Sequence, residues 1–321
     1  MIKNYGNKKF DAFEALQCSP CYVLLISFVE TDSNDLTATL TTKPFLLISR
    51  GNDEYLFSEK IKYQSYLCLI VISIITDDKM SSISTGIKEL DDMLNGGIPK
   101  GRVVLISGSS GTGKTTLGMQ FIYNGIKKFN EPGVFITLEQ DKKKILEDMK
   151  PVGMNLEDIG SNFQLIGGPM AEVMYYKDKT KAKIEDFIAE IEEVIKKTNA
   201  KRVVIDSINL LLMLFQTDEE RRKALLSLSQ ILSKNDCTAL LTCEVRENTF
   251  DLSWYGFEEF VVDGVITLYN VKQEAVFHQG IAIRKMRGVE HTKNIFLYKI
   301  TDKGIKIYPD EPWLSTEKEE K

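Results

Sequence analysis

The chain has 321 residues, 43% of them hydrophobic and 27% charged, an ordinary soluble globular balance that permits a real buried core. A formal net charge of −5 supplies no global field toward nucleic acid or acidic membranes. Five cysteines without regular spacing read as reduced thiols of a cytoplasmic protein, and two histidines thirteen residues apart give little support to a His-based metal site.

Residues 1–79 carry apolar runs at Tyr22 to Val29, Phe45 to Ile48 and Tyr66 to Ile75, separated by polar residues and without a chemical motif. The Tyr66 to Ile75 run is about half the length needed to cross a bilayer and reads as a buried strand. Lys8 and Lys9 ahead of Tyr22 imitate a signal peptide, but Asp11 and Glu14 interrupt the basic region and no small-x-small site follows, so neither export nor membrane insertion is expected. Cys18-Ser19-Pro20-Cys21 matches C-x-x-C, yet lacks a second pair or a thioredoxin-type helix and reads as two unpaired thiols. Regular patterning begins at Met80. This suggests Met80 as the true start, with residues 1–79 a leader of uncertain order ahead of a domain over 80–312.

In that domain Ile87, Leu90, Met93 and Leu94 follow helical spacing, and Asn95-Gly96-Gly97 supply left-handed C-cap residues before Ile98-Pro99. Arg102 to Ser107 reads as a buried strand and Thr116 to Tyr123 as a helix. Between them lies Gly108-Ser109-Ser110-Gly111-Thr112-Gly113-Lys114-Thr115, an intact G-x-x-x-x-G-K-[ST] run that makes residues 108–116 the candidate phosphate cradle. Its glycines let backbone N–H groups turn inward, and the helix N-terminus adds positive dipole charge. Lys114 is placed to reach the β- and γ-phosphates, and the Thr115 hydroxyl to take one position on Mg²⁺.

Gly133 to Leu138 is a second short apolar run, ending at Glu139-Gln140. A carboxylate there faces the crevice at the ends of parallel strands, making Glu139 a candidate general base, although a dipole-stabilised acid at the start of the helix over Asp141 to Leu146 explains it equally well. Phe163 to Ile166 reads as a strand followed by a Gly167-Gly168-Pro169 loop. Ile184, Phe187, Ile188, Ile191, Val194 and Ile195 form a core stripe on a long helix. Val203-Val204-Ile205-Asp206 has the form of a strand whose terminal Asp holds Mg²⁺ through water, with common turn chemistry as the alternative. A helix over Asp218 to Leu232 and a strand over Thr238 to Cys243 complete a β/α alternation. It predicts an α/β fold: a mostly parallel sheet flanked by helices on both faces. Strands at Val261 to Leu268, Gln279 to Arg287 and Asn294 to Ile300 predict an antiparallel C-terminal edge extension. Residues 313–321 read as a charged, disordered tail.

With these residues in hand, Ser81 to Pro309 resembles the KaiC-type ATPases of the RecA superfamily. The resemblance rests on Thr-Gly-Ile-Lys-Glu-Leu-Asp-Asp-Met-Leu-Asn-Gly-Gly-Ile-Pro at 85–99, the P-loop, Val-Phe-Ile-Thr-Leu-Glu at 134–139, Val-Val-Ile-Asp-Ser at 203–207, Glu258-Glu259-Phe260-Val261-Val262-Asp263, Lys285-Met286-Arg287-Gly288 and Ile300-Thr301-Asp302-Lys303-Gly304-Ile305. It implies a RecA-like fold, ATP with Mg²⁺, and Glu139 as catalytic glutamate. Lys285 and Arg287 become fingers acting on the neighbouring subunit's γ-phosphate, in a homo-oligomer expected to be a hexameric ring. Two departures stand out: Gln140 replaces a frequent second Glu, and an ungapped count puts the family's clock-type phosphoacceptors on Glu259 and Phe260, which implies hydrolysis without autophosphorylation. The competing readings are a RadA-like recombinase acting on single-stranded DNA and a non-hydrolysing nucleotide sensor. The first would need a basic strand-binding loop, whereas Asn248 to Glu259 has three acids and no Lys or Arg. Nucleic acid and membrane are therefore not expected partners, and no protein partner is identified.

Overall fold

In a computed structural model of the chain, the described residues are 81–168, 184–247 and 249–314, with the backbone of five short strands between residues 16 and 58. The chain divides into two units, Met1–Asp78 and Lys79–Lys321. In the first, Leu16–Cys18 (β1) and Cys21–Val23 (β2) pair antiparallel, and Leu36–Leu40 (β3), Phe45–Arg50 (β4) and Asp53–Ser58 (β5) form an antiparallel meander. The strand expected at Tyr66 to Ile75 and the tail from Ser315 onward lie outside the described residues.

In the second unit, Ser82–Ile83 (β6) pairs with Ile98–Pro99 (β7) around helix Lys88–Met93 (α1). Asp91 on α1 accepts from the Ser84 hydroxyl and the Thr85 N–H, fastening the entry to the helix. The left-handed exit expected from Asn95-Gly96-Gly97 is present, with φ of 54°, 121° and 115°.

A nine-stranded sheet follows. Its strands are Val103–Gly108 (β8), Gly133–Thr137 (β9), Phe163–Gly167 (β10), Arg202–Asp206 (β11), Thr238–Glu244 (β12), Gly264–Gln273 (β13), Val276–Met286 (β14), Phe296–Thr301 (β15) and Gly304–Tyr308 (β16), in the order β10-β9-β11-β12-β8-β13-β14-β15-β16. Pairing is parallel from β10 through β13 and antiparallel from β13 to β16. The parallel strands are continuous apolar runs because both faces are covered. Val104, Ile106, Phe135, Val204 and Leu240 pack beneath α1, Lys114–Phe129 (α2) and Lys142–Met149 (α3). Val103, Leu105, Val203, Ile205 and Leu241 pack on the other face, against Ile184–Thr198 (α4), Ile208–Leu212 (α5) and Asp218–Lys234 (α6). This is the α/β architecture that the alternation predicts, a mostly parallel sheet with helices on both faces.

The C-terminal part differs in detail from the sequence reading. Glu258–Val261 is a helical turn (α7), so the next strand starts at Gly264 and not at Val261. That strand runs parallel to β8 and turns directly into β14; a fourth late strand, β16, closes the edge. The connection before it, Asp302-Lys303, is only two residues long and hides in the sequence between apolar residues of similar spacing.

One irregularity decides which way the end of β14 faces. Ile266 pairs with Ile283 but Val265 pairs with Lys285, so Arg284 is an extra residue in β14. Ile281 and Ile283 lie in the α2-side core, where simple alternation would place Lys285 next. The bulge puts Met286 there instead and turns Lys285 to the opposite face.

Candidate functional site

Four parallel strands end side by side, and each delivers a polar residue to the same crevice. β8 runs into the P-loop and β9 ends before Glu139; β11 ends at Asp206 and β12 at Glu244, which is level with Gly108. Such a crevice, at the carboxyl ends of strands, is where open α/β sheets take ligands.

The loop is shaped for phosphate. Gly111 and Gly113 have φ of 76° and 82°, left-handed values that glycine adopts without a Cβ penalty. A Cβ on Gly108 would lie 2.6 Å from Thr112 Oγ1 and 2.8 Å from the Leu268 carbonyl, whereas one on Gly111 would meet nothing within 4 Å, so there only the left-handed φ calls for glycine. The first main-chain bond of α2 runs from Leu117 N–H to Gly113 O. The N–H groups of Lys114, Thr115 and Thr116 therefore belong to the unsatisfied first turn and suit an anion. Thr112 Oγ1 donates to Ser109 O at 2.8 Å, and the Tyr298 hydroxyl donates to Thr112 O, so β15 grips the loop from behind. Ser110 stays at the exposed rim.

Lys114 is buried and donates to the carbonyls of Gly108 and Ser109, each at 3.0 Å; Glu244 Oε1 stands 3.8 Å from its Nζ. Thr115 Oγ1 donates to Asp206 Oδ2 at 2.7 Å, while Thr242 Oγ1 donates to Asp206 Oδ1. A hydroxyl beside a carboxylate is a hard oxygen set that fits Mg²⁺; Thr115 would hold the ion directly and Asp206 through water. Among the described residues there is no group of three or more His, Cys, Asp or Glu that could hold a metal ion.

The Ser207 hydroxyl donates to Glu139 Oε1. Glu139 is exposed as a residue, but partial burial desolvates its carboxylate and pushes its pKa above the usual value; Asp206 and Glu244 push the same way, against the Ser207 hydrogen bond and Lys114. Thr137 Oγ1 takes the Gln140 N–H at 3.1 Å and fixes the turn that carries Glu139. Asp141 caps α3 by accepting from Lys143 N–H, so the helix-start acid is Asp141 and Glu139 is left facing the crevice.

Lys285 and Arg287 are elsewhere. Gly264 pairs with both Met286 and Val104, so the end of β14 is level with a residue four positions before Gly108, about 13 Å back along the strand at ~3.3 Å per residue. There Lys285 donates to the carbonyls of Glu259 at 2.8 Å and Val262 at 2.6 Å, and Arg287 meets Phe260 O at 3.4 Å and Asp263 Oδ1 at 3.5 Å. Burial, and then the neighbouring Arg287, lower the Lys285 pKa. The sequence reading missed Ser207, Thr242 and Glu244. The one available signal was their position, polar residues at or beyond the ends of apolar strands, which becomes specific only once strand order is known.

Comparison with known proteins gives a consistent picture. The family described as "ATPase: KaiC" matches residues 83–312. The circadian clock oscillator protein KaiC of Parathermosynechococcus lividus is 36% identical over 228 residues, 70% of this chain and 42% of that protein. Its counterpart in Synechococcus elongatus is 36% identical over 233 residues, 72% of this chain and 44% of that one. The matched region thus spans less than half the length of these curated relatives. Among solved structures, a KaiC-like protein from Pyrococcus horikoshii OT3 superposes with a TM-score of 0.63 at 33% identity, covering 72% of this chain and all of that one.

Proposed function

Because the chain belongs to the KaiC ATPase family, we propose that it binds ATP with Mg²⁺, hydrolyses it, and forms a cytoplasmic homo-oligomeric ring whose nucleotide state controls partner binding. The observation that carries this reading is the convergence of Lys114, the Thr115–Asp206 pair and Glu139 on one crevice. When bound, Mg²⁺ supplies charge neutralisation on the phosphate oxygens. The backbone of residues 108–116 holds the phosphates, Lys114 leaves its own loop carbonyls for the β/γ oxygens, and Glu139, kept in place by Ser207, orients a water and takes its proton. Lys285 and Arg287 of an adjoining copy complete the charge around the γ-phosphate. Their position behind the sheet supports action on a neighbour's nucleotide over action on their own.

Turnover of ATP measured with Mg²⁺ on wild type and Glu139→Gln, alongside light scattering with and without nucleotide, tests the proposal. Wild-type hydrolysis, its loss in the variant, and nucleotide-dependent growth in mass are expected. A low rate unaltered by Glu139→Gln would favour a non-hydrolysing sensor. Glu259 and Phe260 stand where clock-type phosphoacceptors would align, so the proposed cycle is hydrolysis alone; phosphate on a core Ser or Thr after incubation with ATP would contradict it.

A second reading draws on the loop before α7. Phe250, Trp254 and Phe260 are 74%, 45% and 63% exposed, and the Arg246 guanidinium lies 5.5 Å from the Trp254 ring. Of the three acids, Glu258 is fully buried, accepting from Tyr255 N–H and Phe257 N–H, and Glu259 accepts from Ser253 Oγ. These contacts order the segment around the exposed aromatics. These aromatics suit a subunit contact in the first reading and stacking on single-stranded nucleic acid in the second. Salt-dependent binding of a labelled oligonucleotide in the presence of ATP would favour the second.

A further inference from the structure

We propose that Asp263 is a positioning residue for Arg287: one carboxylate sets where that cation stands when it is offered to the adjoining copy's nucleotide. The proposal rests on the trans-finger reading above and adds a residue that the reading does not require.

Asp263 is fastened to β8 and Arg287 at once. Its N–H donates to Val103 O at 2.9 Å, and its Oδ2 accepts from Val103 N–H at 3.2 Å. Its carbonyl accepts from the Arg287 N–H at 3.0 Å, which fixes where the backbone leaves β14. Its Oδ1 is shared by two guanidinium groups, Arg102 Nη1 at 3.0 Å and Arg287 Nη1 at 3.5 Å. Asp263 is 15% exposed at the side chain and Arg287 52%, so an anchored anion holds the guanidinium head of a half-exposed side chain by one of its two terminal nitrogens. Phe260 O, at 3.4 Å from Arg287 Nη2, gives a second and neutral contact. Without the charge at Oδ1, the long Arg287 side chain regains the rotamers that this pair suppresses, and the fraction of time it spends in one direction falls.

The competing account is that Asp263 simply ties β8 to the start of β13 through Val103 and Arg102. The two accounts separate in variants and in mixtures. Asp263→Asn keeps a carbonyl oxygen for Val103 and loses the charge for Arg287. It is expected to bind ATP within about twofold of wild type by calorimetry, to assemble normally by light scattering, and to turn over about tenfold more slowly, since misplaced catalytic groups cost rate far more than binding. Arg102→Gln removes the structural partner while leaving Asp263 to Arg287, and is expected to keep wild-type kcat.

Mixing Asp263→Asn with Glu139→Gln, which keeps nucleotide binding, should give more turnover than the sum of the separate proteins, because the second supplies a sound Arg287 to the first one's intact site. An Arg287→Ala and Glu139→Gln mixture is the control. If the control is rescued and the Asp263→Asn mixture is not, the Asp263 inference falls alone; if neither is rescued, the trans reading falls and takes it along. Equal loss of kcat in Arg102→Gln and Asp263→Asn would also overturn the inference. Should Asp263→Asn fail to assemble, Asp263→Glu replaces it: the charge is kept but shifted by one methylene, and the same slow turnover and mixing rescue are expected.

Discussion

Glu139 can accept a proton only when ionised, and its surroundings resist ionisation. Burial is the largest cause, followed among the opposing charges by Asp206 and Glu244, with Ser207 and Lys114 acting the other way. A raised pKa means that the base is lost as pH falls through a value above the ordinary carboxylate figure of about 4.3, so the acid limb of the kcat/KM profile should lie above it. The same shift has a stability consequence. The folded state binds this proton more tightly than the unfolded one, so the contribution is favourable below the unfolded pKa and lost as pH rises through the folded pKa. Glu139→Gln should therefore melt no lower than wild type at neutral pH, while kcat drops by about 10²- to 10⁴-fold with nucleotide binding retained. Glu244 invites a different test. It draws on Lys114 at 3.8 Å and is 42% exposed, so Glu244→Gln should tighten ATP binding modestly, by no more than about fivefold, the upper range for an exposed ion pair. Calorimetric titration distinguishes this from weaker binding, which would mean that Glu244 assists the nucleotide. Lys114, Thr115 and Asp206 were legible as candidates because each sits beside its own strand or glycine run, whereas local pattern balances Glu139 against a helix-start acid and only the family resemblance singles it out. Glu244, Thr242 and Ser207 were not legible, because their meaning depends on which strands stand next to one another.

At the scale of elements, α2 is held between the sheet and the late strands. Arg202 lies beneath it, fully buried, paired with Glu131 Oε2 at 2.6 Å, donating to Phe121 O at 2.9 Å and stacked 4.5 Å from the Phe121 ring centroid. Burial lowers its pKa against the opposing pull of Glu131. A methyl group on Gly125 would come within 2.2 Å of Arg202 Cδ, a side chain with no freedom to retreat. Gly125→Ala should cost about 1–3 kcal/mol in chemical denaturation despite its better helix propensity, an overpacking effect. On the opposite side, Gln120 Oε1 accepts from Ile305 N–H at 2.7 Å, and Tyr298 bonds the P-loop at Thr112. Tyr298→Phe should cost about 1 kcal/mol and weaken nucleotide binding, since it frees the loop carbonyl from behind. The long helices and buried strands were readable from apolar period and caps, as with the Thr217–Glu220 capping box that opens α6. The α7 turn and the bulge at Arg284 were not. A four-residue helix has no period to detect, and a bulge changes which face a residue occupies without changing composition.

For the whole molecule, the β/α rhythm was enough to read a mostly parallel sheet with helices on both faces, whereas strand order came only from pairings between distant segments. None of the described helices is long and apolar enough to cross a membrane. The division at Asp78/Lys79 predicts that residues 80–321, expressed alone, fold and bind ATP with an affinity close to that of the full chain. Loss of binding in a well-folded truncated protein would assign residues 1–79 a part in the site. The register that aligns Met286 with Val104 carries a last consequence for the proposed assembly. Each copy would carry its phosphate cradle and its lending cations at opposite ends of one sheet, so a solitary copy could never furnish both to one nucleotide. Dilution would then act as an off-switch, and turnover per chain would climb with protein concentration until every cradle had a lender, making abundance itself a throttle on the reaction.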